Sequence, residues 1–289
     1  MRRACIDIGS NTTRLLVAEC GAEQLSEIHH ARVFTRIGRG TAGDGTIAQG
    51  KIAEVVGVVT EQLARARDLG SREVLGVATA AIRHAANGAE LVTAIESACG
   101  LKVRILSGEE EARLAFVGAA GTLDHRPAGT LGVVDVGGGS SEVVVGTPPQ
   151  TIGWWFSFAL GSGDLADNFL HSDPPRTAEL AAARARVAEA VEGVRAPTPL
   201  EAVAVGGSAT SLRLLAGSLL DGAAFERSFR VLAAERAADV ANRFQLDIER
   251  VRLLPAGLLI LEAVSNLFGT ALQVGCGGIR EGVLLEAGW

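Results

Sequence analysis

Residues 4–16 read Ala-Cys-Ile-Asp-Ile-Gly-Ser-Asn-Thr-Thr-Arg-Leu-Leu, and residues 132–145 read Gly-Val-Val-Asp-Val-Gly-Gly-Gly-Ser-Ser-Glu-Val-Val-Val. Each stretch predicts two apolar strands joined by a tight turn of glycine and hydroxyl residues, with an aspartate near the end of the first strand. Glycine lets the backbone approach an anion closely, and successive N–H groups in such a turn can bind phosphate. The duplicated hairpin therefore predicts two similar α/β domains that face each other across a phosphate-binding cleft.

The composition is that of an ordinary globular protein. With 289 residues the chain can form two modest domains, each with its own core. Apolar residues make up 48% and charged residues 21%, which excludes a largely disordered chain. The net charge of −6 argues against a nucleic-acid coat protein, so any polyphosphate must bind at a local positive patch.

Targeting and membrane segments are not indicated. The N-terminal apolar stretch is interrupted by Asp7 and Arg14, which does not fit a secretory signal. The late apolar stretch 253–269 contains Pro255 and Glu262 and is predicted to be a buried helix rather than a membrane span.

Cysteine and histidine spacing predicts neither a structural zinc site nor a disulfide framework, and it fits a reducing cytoplasm. The four cysteines are Cys5, Cys20, Cys99 and Cys276. The five histidines are His29, His30, His84, His125 and His171.

Both halves are predicted to open with three strands and then to alternate helices and strands, which gives a mixed sheet with helices on its faces. The first half predicts strands 4–8, 14–20, 25–35, 73–79 and 101–106 with helices 49–69, 88–99 and 108–120. The second half predicts strands 131–136, 142–146, 151–158, 201–205 and 271–275 with helices 161–171, 176–194, 207–217 and 278–287 and further helices within 232–268. A loop at 121–129 predicts domains 1–122 and 123–289, with the last helix able to pack back on the first domain.

The two repeated aspartates, Asp7 and Asp135, are candidate ligands for a shared Mg²⁺. The alternative is that each aspartate only hydrogen-bonds its own turn. Because the pattern occurs twice, we favour the metal role. Glu142 follows the second turn and is either a surface residue or a further metal ligand.

The hairpin turns and one strand-to-helix junction are predicted to bind phosphate. At the junction, Gly207 and Ser208 precede a helix whose N-terminal N–H groups attract anions, although an ordinary turn capped by Ser208 explains the pattern equally well. The candidates in the two turns are Gly9, Ser10, Asn11, Thr12, Gly137, Gly138, Gly139, Ser140 and Ser141.

Three consecutive acids follow Ser107. Ser107 and Glu110 have the spacing of a helix capping box, which gives Glu110 a structural role. Glu111 has no such explanation, and its acidic neighbours together with a bound polyphosphate are expected to raise its pKa. Glu111 is therefore our candidate general base toward water.

Three arginines are ambiguous. Arg83 follows a strand end and is a candidate phosphate ligand, although a lone arginine on a helix is more often a solvated surface residue. The same two interpretations apply to Arg36 and Arg280.

Six segments follow one another along the chain: Asp-Ile-Gly-Ser-Asn-Thr-Thr-Arg, Ala-Thr-Ala-Ala-Ile-Arg-His-Ala-Ala-Asn, Glu-Glu-Ala-Arg-Leu, Asp-Val-Gly-Gly-Gly-Ser-Ser-Glu, Gly-Gly-Ser-Ala-Thr and Gly-Ile-Arg-Glu-Gly. In this order they resemble the motifs of the exopolyphosphatase / guanosine pentaphosphate phosphatase family, and the resemblance extends from Cys5 to Leu285.

The resemblance implies two actin-like ATPase (RNase H-like) domains with an interdomain cleft. It implies a cytoplasmic, Mg²⁺-dependent (or Mn²⁺-dependent) phosphoric-anhydride hydrolase that removes terminal phosphate from inorganic polyphosphate or guanosine pentaphosphate. In the family the second glutamate of Glu-Glu-Ala-Arg-Leu is the catalytic base, which corresponds to Glu111. Arg83 matches a phosphate-binding arginine, and Asp135 and Glu142 match acids of the metal region. A homodimer is a further family-level expectation.

Some features depart from the family pattern. Longer members carry a C-terminal helical domain that is not seen in this sequence, which ends at Trp289. Asp164 stands where the family usually has arginine, which removes a possible phosphate contact. Short polyphosphate chains are therefore the expected substrates. A kinase or ATPase of the same superfamily and a non-catalytic sensor of guanosine tetra- or pentaphosphate are the rival hypotheses.

Overall fold

The computed structural model describes residues 1–21, 25–40 and 45–286. Contacts divide the chain into two compact units. Unit 1 contains Met1–Thr122 together with the segment that begins at Gly277, and unit 2 contains Leu123–Cys276. The segment that begins at Gly277 therefore belongs to unit 1. The predicted domain 123–289 included this segment, with the last helix able to pack back on the first domain.

Unit 1 contains a five-stranded mixed sheet with helices. Its strands are β1 (Arg2–Ile8), β2 (Thr13–Cys20), β3 (Leu25–Val33), β4 (Glu73–Ala78) and β5 (Val103–Ile105). Its helices are α1 (Gln49–Asp68), α2 (Ala80–His84), α3 (Gly88–Cys99) and α4 (Gly108–Gly121), joined by the returning α12 (Ile279–Leu285) and a short 3-10 turn at Gly38–Gly40.

Unit 2 contains a six-stranded mixed sheet. Its strands are β6 (Leu131–Val136), β7 (Ser141–Thr147), β8 (Thr151–Phe158), β9 (Glu201–Val205), β10 (Leu219–Leu220) and β11 (Leu272–Val274). Its helices are α5 (Ser162–Phe169), α6 (Thr177–Ala190), α7 (Gly206–Ala216), α8 (Gly222–Ala234), α9 (Ala237–Phe244), α10 (Ile248–Val251) and α11 (Leu254–Phe268).

The two sheets share one topology. The first has the order β3-β2-β1-β4-β5, and the second has β8-β7-β6-β9-β11 with β10 added at the end. In both, the first three strands are antiparallel and the next two run parallel to the first strand. The α/β fold with two similar halves, predicted from the repeated hairpin, is confirmed.

Local signals account for several helix ends. Gly70, Gly100 and Gly269 each adopt the left-handed conformation just past a helix, with φ of 80°, 74° and 67°. Glycine reaches this conformation without a Cβ clash, so these residues end the helices.

The region 232–268 was predicted to contain further helices, and it comprises the end of α8 and three separate helices. Gln245 ends α9 at a φ of 53°, and the Asp247 side chain caps the start of α10. Pro255 then occupies the first turn of α11. The sequence pattern missed α2 and the start of α8, and the predicted end of the last helix at 287 lies outside the described residues.

Each unit has its own apolar core, because one stripe of each helix packs on a sheet face. In unit 2, α11 is buried along most of its length and contacts α5, α6, α7 and α8. In unit 1, α12 packs on α4 so closely that a Cβ at Gly118 would lie 1.9 Å from the Gly278 carbonyl oxygen. Within the described ranges, no helix is both long and apolar enough to cross a bilayer.

Candidate active site

The first hairpin turn presents backbone N–H groups outward. The Gly9 N–H donates to the Thr12 carbonyl at 3.0 Å and closes the turn. The Ser10 and Asn11 carbonyls accept from Gly38 and Arg36 at 2.9 and 3.0 Å. Because the C=O and the following N–H of a trans peptide point in opposite directions, the N–H groups of Asn11 and Thr12 point away from these contacts. The turn therefore has the geometry of an anion site.

The second hairpin turn is built in the same way. The Gly137 N–H donates to the Ser140 carbonyl at 3.0 Å. The Gly138 carbonyl accepts from the N–H groups of Gly163 and Asp164, both at 3.0 Å. A Cβ at Gly161 would lie 2.2 Å from the Gly138 carbonyl carbon, so α5 begins directly against the turn. The Gly139 N–H accordingly points away from α5.

The hydroxyl groups of the two turns are partly engaged by the protein. Ser10 Oγ accepts from the Ala81 N–H at 3.2 Å, which leaves its proton available to a phosphate oxygen. Thr12 Oγ1 accepts from Arg14 Nε at 3.2 Å. Ser141 Oγ donates its only proton to the Leu160 carbonyl at 2.7 Å, so this hydroxyl cannot also donate to phosphate. Ser140 is buried.

The start of α7 differs from the prediction. Val205 is the N-cap residue, so the capping role suggested for Ser208 is wrong. The Ser208 hydroxyl is buried against α11, where a Cβ at Gly257 would lie 2.5 Å from it. Any phosphate contact from Gly207 or Ser208 must therefore use the backbone N–H groups of the first helical turn.

Asp135 and Glu142 form a buried acid pair in unit 2. They are directly opposite each other in the antiparallel register of β6 and β7, so both side chains lie on one face of the sheet. Glu142 Oε1 accepts from Ser157 Oγ at 2.9 Å. Like charges placed opposite each other in a buried site favour a bound cation.

The Asp135 carboxylate also lies at the N-terminus of α7. A Cβ at Gly206 would be 2.3 Å from Asp135 Oδ1. Gly206 has a φ of 84°, which glycine adopts without strain. The positive end of the helix dipole stabilises the ionised carboxylate at this position.

Asp7 occupies the equivalent position in unit 1 but has different neighbours. Arg14, not an acid, is its cross-strand partner. Asp7 Oδ1 is buried and has no hydrogen-bond partner among the described residues. Burial raises the pKa of the Asp7 carboxyl, Arg14 and Arg280 counteract this rise, and Glu281 adds to it.

A divalent cation fits these acids. Mg²⁺ is usually held by one or two carboxylates, with water and substrate phosphate completing its coordination. Asp135 with Glu142, and the unpartnered oxygen of Asp7, meet that requirement. No cluster of three or more His, Cys, Asp or Glu side chains suited to a metal occurs in the described part of the chain. Asp7 lies in unit 1 and Asp135 in unit 2, so a cation shared by both stays a prediction.

Glu111 is held at the start of α4 in unit 1. The predicted capping box is confirmed, because Ser107 Oγ accepts from the Glu110 N–H at 3.2 Å and Glu110 Oε2 accepts from the Ser107 N–H at 2.8 Å. Glu111 itself is only 2% exposed. Its Oε1 accepts a hydrogen bond from Arg83 Nη1, which also donates to the Leu106 carbonyl at 2.6 Å.

The neighbours of Glu111 differ from those expected. Consecutive helical residues do not face each other, and Glu110 turns toward Ser107 and Arg104. Partial burial raises the pKa of Glu110, but hydrogen bonds to Ser107 and the Arg104 charge outweigh it and lower the pKa overall. The structure thus brings Glu111 together with the predicted phosphate ligand Arg83.

Sequence reasoning left some neighbours of the candidate site unassigned. Arg14 faces Asp7, and Ser157 donates to Glu142. The sequence contained a signal for the pairing of Asp7 with Arg14. Each residue lies two positions from the nearer end of the turn at 9–12, so the two are opposite each other in the hairpin. Arg280 belongs to a distant helix and acts electrostatically on Asp7, which only the fold reveals.

Comparison with known proteins gives consistent relatives. The family model described as "Ppx/GppA phosphatase family" matches residues 16–287. Exopolyphosphatase 2 of Mycobacterium tuberculosis is 33% identical over 231 residues, which cover 75% of this chain and 72% of that protein. Exopolyphosphatase 1 of Mycobacterium bovis is 28% identical, with 99% of this chain and 88% of that protein covered.

A solved structure agrees with these sequence relatives. The Ppx/GppA enzyme of Aquifex aeolicus superimposes with a TM-score of 0.80 at 29% sequence identity, and 99% of each chain is covered. The family model spans nearly the entire chain, and the sheet topology, the two glycine-rich turns and the buried Glu111 are all present. This chain therefore belongs to the Ppx/GppA phosphatase family.

Proposed function

We propose that this protein is a Mg²⁺-dependent exopolyphosphatase that releases the terminal phosphate of inorganic polyphosphate, with short chains preferred. The observation that carries the proposal is the pair formed by the buried Glu111, at the start of α4, and the partly buried Arg83. It combines a carboxylate able to accept a proton with a guanidinium able to bind phosphate. Two glycine-rich turns with outward N–H groups supply further anion contacts.

In this proposal Glu111 orients a water molecule and accepts its proton as the water oxygen attacks the terminal phosphorus. The anhydride bond to the next phosphoryl group breaks, and the shortened chain leaves with the bridging oxygen. The hydrogen bonds of Arg83 to Leu106 and Glu111 both use Nη1, so the opposite edge of its guanidinium can donate to phosphate oxygens. Catalysis then rests mainly on positioning and charge neutralisation.

In the same proposal, three carboxylates bind the divalent cation. Asp135 and Glu142, with Asp7 from the other unit, would hold Mg²⁺ or Mn²⁺, which supplies positive charge to the phosphate oxygens. The turn residues Gly9–Thr12 and Gly137–Ser140, with Arg83 and the backbone of Gly207 and Ser208, would hold the terminal phosphates. The cleft between the two units stays a prediction in this scheme.

Guanosine pentaphosphate 5′-phosphohydrolase activity is the second candidate, because the family description names GppA together with Ppx. A cytoplasmic location and a homodimer are further proposals. The four free cysteines support the first of these, since they fit a reducing compartment.

The test is a phosphate-release assay on the purified wild type and on Glu111→Gln. Short polyphosphate, long polyphosphate, guanosine pentaphosphate and ATP are compared with and without Mg²⁺. We expect Glu111→Gln to lower kcat by about 10²–10⁴-fold while the substrate Kd stays unchanged. Glu109→Gln is the matched control, because Glu109 is an exposed acid on the same helical turn.

Undiminished phosphate release by Glu111→Gln would refute the role of this residue. ADP formation from ATP in the presence of a small-molecule acceptor would favour a kinase. Tight nucleotide binding without phosphate release by the wild type would favour a sensor.

A further inference from the structure

Arginines gather at the β3 edge of the unit 1 sheet, beside the first hairpin turn. In the antiparallel register of β2 and β3, Arg14 is directly opposite Arg32, so the two side chains share one face of the sheet. Like charges in such a pair repel one another, because the Cβ atoms are only about 4.5–5.5 Å apart. Arg14 Nε also donates to Thr12 Oγ1 at 3.2 Å, which connects the pair to the turn. A bound anion would offset this repulsion.

Phe34 brings a third guanidinium to the same place. The Arg32 Cζ lies 5.0 Å from the centroid of the Phe34 ring, and the Arg36 Cζ lies 5.9 Å from it. The two Cζ atoms are therefore at most about 11 Å apart. The Arg32 side chain is exposed, and it forms no hydrogen bond or ion pair in the part of the chain that the structure describes. Its charge is thus available to a ligand.

The backbone of Arg36 is fixed both to the first turn and to the core of unit 1. Its N–H donates to the Asn11 carbonyl at 3.0 Å. On one side of it, Thr35 is fully buried, with its hydroxyl 3.1 Å from Thr13 Oγ1. On the other side, Ile37 is fully buried in the apolar core. Both neighbours point inward, so they hold Arg36 beside the turn.

The backbone conformation of Arg36 indicates a role for its side chain. Its φ is 46°, in the left-handed region that favours glycine. Among the described residues, the other non-glycine residue with a positive φ is Gln245, which ends a helix, where this conformation is common. Strained backbone of this kind is concentrated at active sites and ligand-binding sites. Glycine would suit the backbone better than arginine, so the arginine side chain itself is what this position provides.

We propose that Arg32 and Arg36 form an anion subsite that binds phosphoryl groups of the substrate beyond its reacting end. The inference deepens the proposed function, on which it rests. Guanidinium groups bind phosphate oxygens through paired N–H donors. Arg14 contacts the turn through Thr12 and is opposite Arg32, so a phosphate chain held at the turn can extend along the sheet edge to the subsite.

Calorimetric titration of the purified chain with polyphosphate in EDTA tests the proposal, because binding is then measured without Mg²⁺-dependent hydrolysis. The probes are pyrophosphate and a linear chain of about ten phosphoryl groups. We expect the double variant Arg32→Gln/Arg36→Gln to raise the Kd of the long chain about 10–50-fold and that of pyrophosphate less than about twofold. The reason is that only the long chain reaches both arginines. With Mg²⁺ present, KM for the long chain should rise similarly while kcat stays unchanged.

Three further variants separate binding from folding. Arg36→Gly removes the charge but suits the positive φ, so it should not lower the thermal midpoint, although it weakens long-chain binding about 3–10-fold. Arg32→Lys/Arg36→Lys keeps both charges and should restore part of the affinity, because lysine lacks the paired donors. Arg72→Gln is the matched control, since Arg72 is exposed just before β4, at the opposite end of the sheet from the turn. It should change neither binding nor KM.

Several outcomes would overturn the subsite. They are an unchanged Kd in Arg32→Gln/Arg36→Gln, an equal loss for pyrophosphate and the long chain, and a wild type that binds no long chain. A lower thermal midpoint of Arg36→Gly with unchanged binding would leave Arg36 a purely structural role. Selective loss of long-chain binding in a protein that releases no phosphate would instead refute the proposed function and support the subsite.

Discussion

The two hairpins have the same turn backbone but differ in the charge of the residue opposite the aspartate. In each, a glycine N–H closes the turn on a carbonyl three residues later at 3.0 Å. In unit 1 the cross-strand partner of Asp7 is the cation Arg14, whereas in unit 2 the partner of Asp135 is the acid Glu142. The shared backbone offers N–H groups to anions in both units. The residue opposite the aspartate decides whether the site also attracts a cation.

This difference suggests that the aspartate sites of the two units bind different ligands. Two acids on one sheet face suit Mg²⁺, and an acid beside arginine suits a phosphate oxygen with a positively charged neighbour. Duplicated folds can diverge in this way at little structural cost, because a cross-strand position can change without altering the hairpin register.

The largest effect should come from removing an acid of the unit 2 pair. Glu142→Gln retains the shape of the side chain and an acceptor for Ser157 Oγ, but it removes one negative charge. We expect the Mg²⁺ concentration for half-maximal phosphate release to rise about 10–100-fold. A Mg²⁺ titration of activity measures this shift.

Ser157→Ala serves as the control for Glu142→Gln, since it removes the hydrogen bond but leaves both carboxylates in place. A Mg²⁺ requirement that shifts as much in Ser157→Ala as in Glu142→Gln would contradict the charge argument.

The unit 1 hairpin should respond differently. Arg14→Met removes the cation opposite Asp7 and the donor to Thr12 Oγ1. We expect KM for polyphosphate to rise about 5–30-fold with little change in the Mg²⁺ requirement, because a charge-assisted contact contributes about 1–2 kcal/mol. Steady-state kinetics at saturating Mg²⁺ measure this change in KM.

Arg14→Lys retains the charge and should restore most of the lost affinity. If Arg14→Met instead shifted the Mg²⁺ requirement and left KM alone, the two hairpins would not differ in the way their charges suggest.

The residues that follow the parallel strands β4 and β9 extend the comparison of the two units to the free energy of unfolding. Asp7 is level with Val77 and Asp135 with Val205 in the parallel registers, so Ala78 and Gly206 are equivalent. Gly206→Ala would collide with the Asp135 carboxylate and strain a positive φ, so we expect a loss of about 1–3 kcal/mol in the free energy of unfolding.

Gly57→Ala is the matched control, because a Cβ there meets nothing within 4 Å in the middle of α1. It should stabilise the protein by about 0.5–1 kcal/mol. Urea denaturation measures both variants, and two changes of the same sign would contradict the argument.

The smallest effect concerns Asp164, whose N–H donates to the Gly138 carbonyl of the unit 2 turn. Burial, with a contribution from Asp167, raises the pKa of Asp164 to about 6 from 3.8. The native state therefore retains a proton that the unfolded chain releases, and stability falls as the pH rises through this window. After discounting for solvent exposure, we expect Asp164→Asn to recover about 1 kcal/mol at pH 7.5.

The measurement is the thermal midpoint of Asp164→Asn and wild type at pH 4 and pH 7.5. The variant should exceed the wild type by about 2–4 °C at pH 7.5 and by much less at pH 4. Asp124→Asn, at an exposed loop position, should show no such pH dependence. An equal gain at both pH values would argue against titration of Asp164 as the cause.

Much of the architecture was predictable because it depends on neighbours in sequence. The strand pair around each turn follows from the apolar runs on either side of it, and Gly70 and Gly100 mark helix ends through their backbone freedom. The capping box of Ser107 and Glu110 spans three residues and was found from its spacing alone. The helices within 232–268 were expected, but the breaks between them depend on single residues such as Asp247 and do not follow from the apolar pattern.

The amino-acid sequence sufficed to identify the duplicated hairpins, the turn residues and Glu111 as a distinctive acid, since each rests on a short local pattern. The partners of those groups came only from the folded chain. Arg83 meets Glu111 across 28 positions, and the Ser141 hydroxyl is committed to a carbonyl 19 positions away. Side-chain contacts of this kind depend on how strands and helices pack, and local propensities contain no information about that packing.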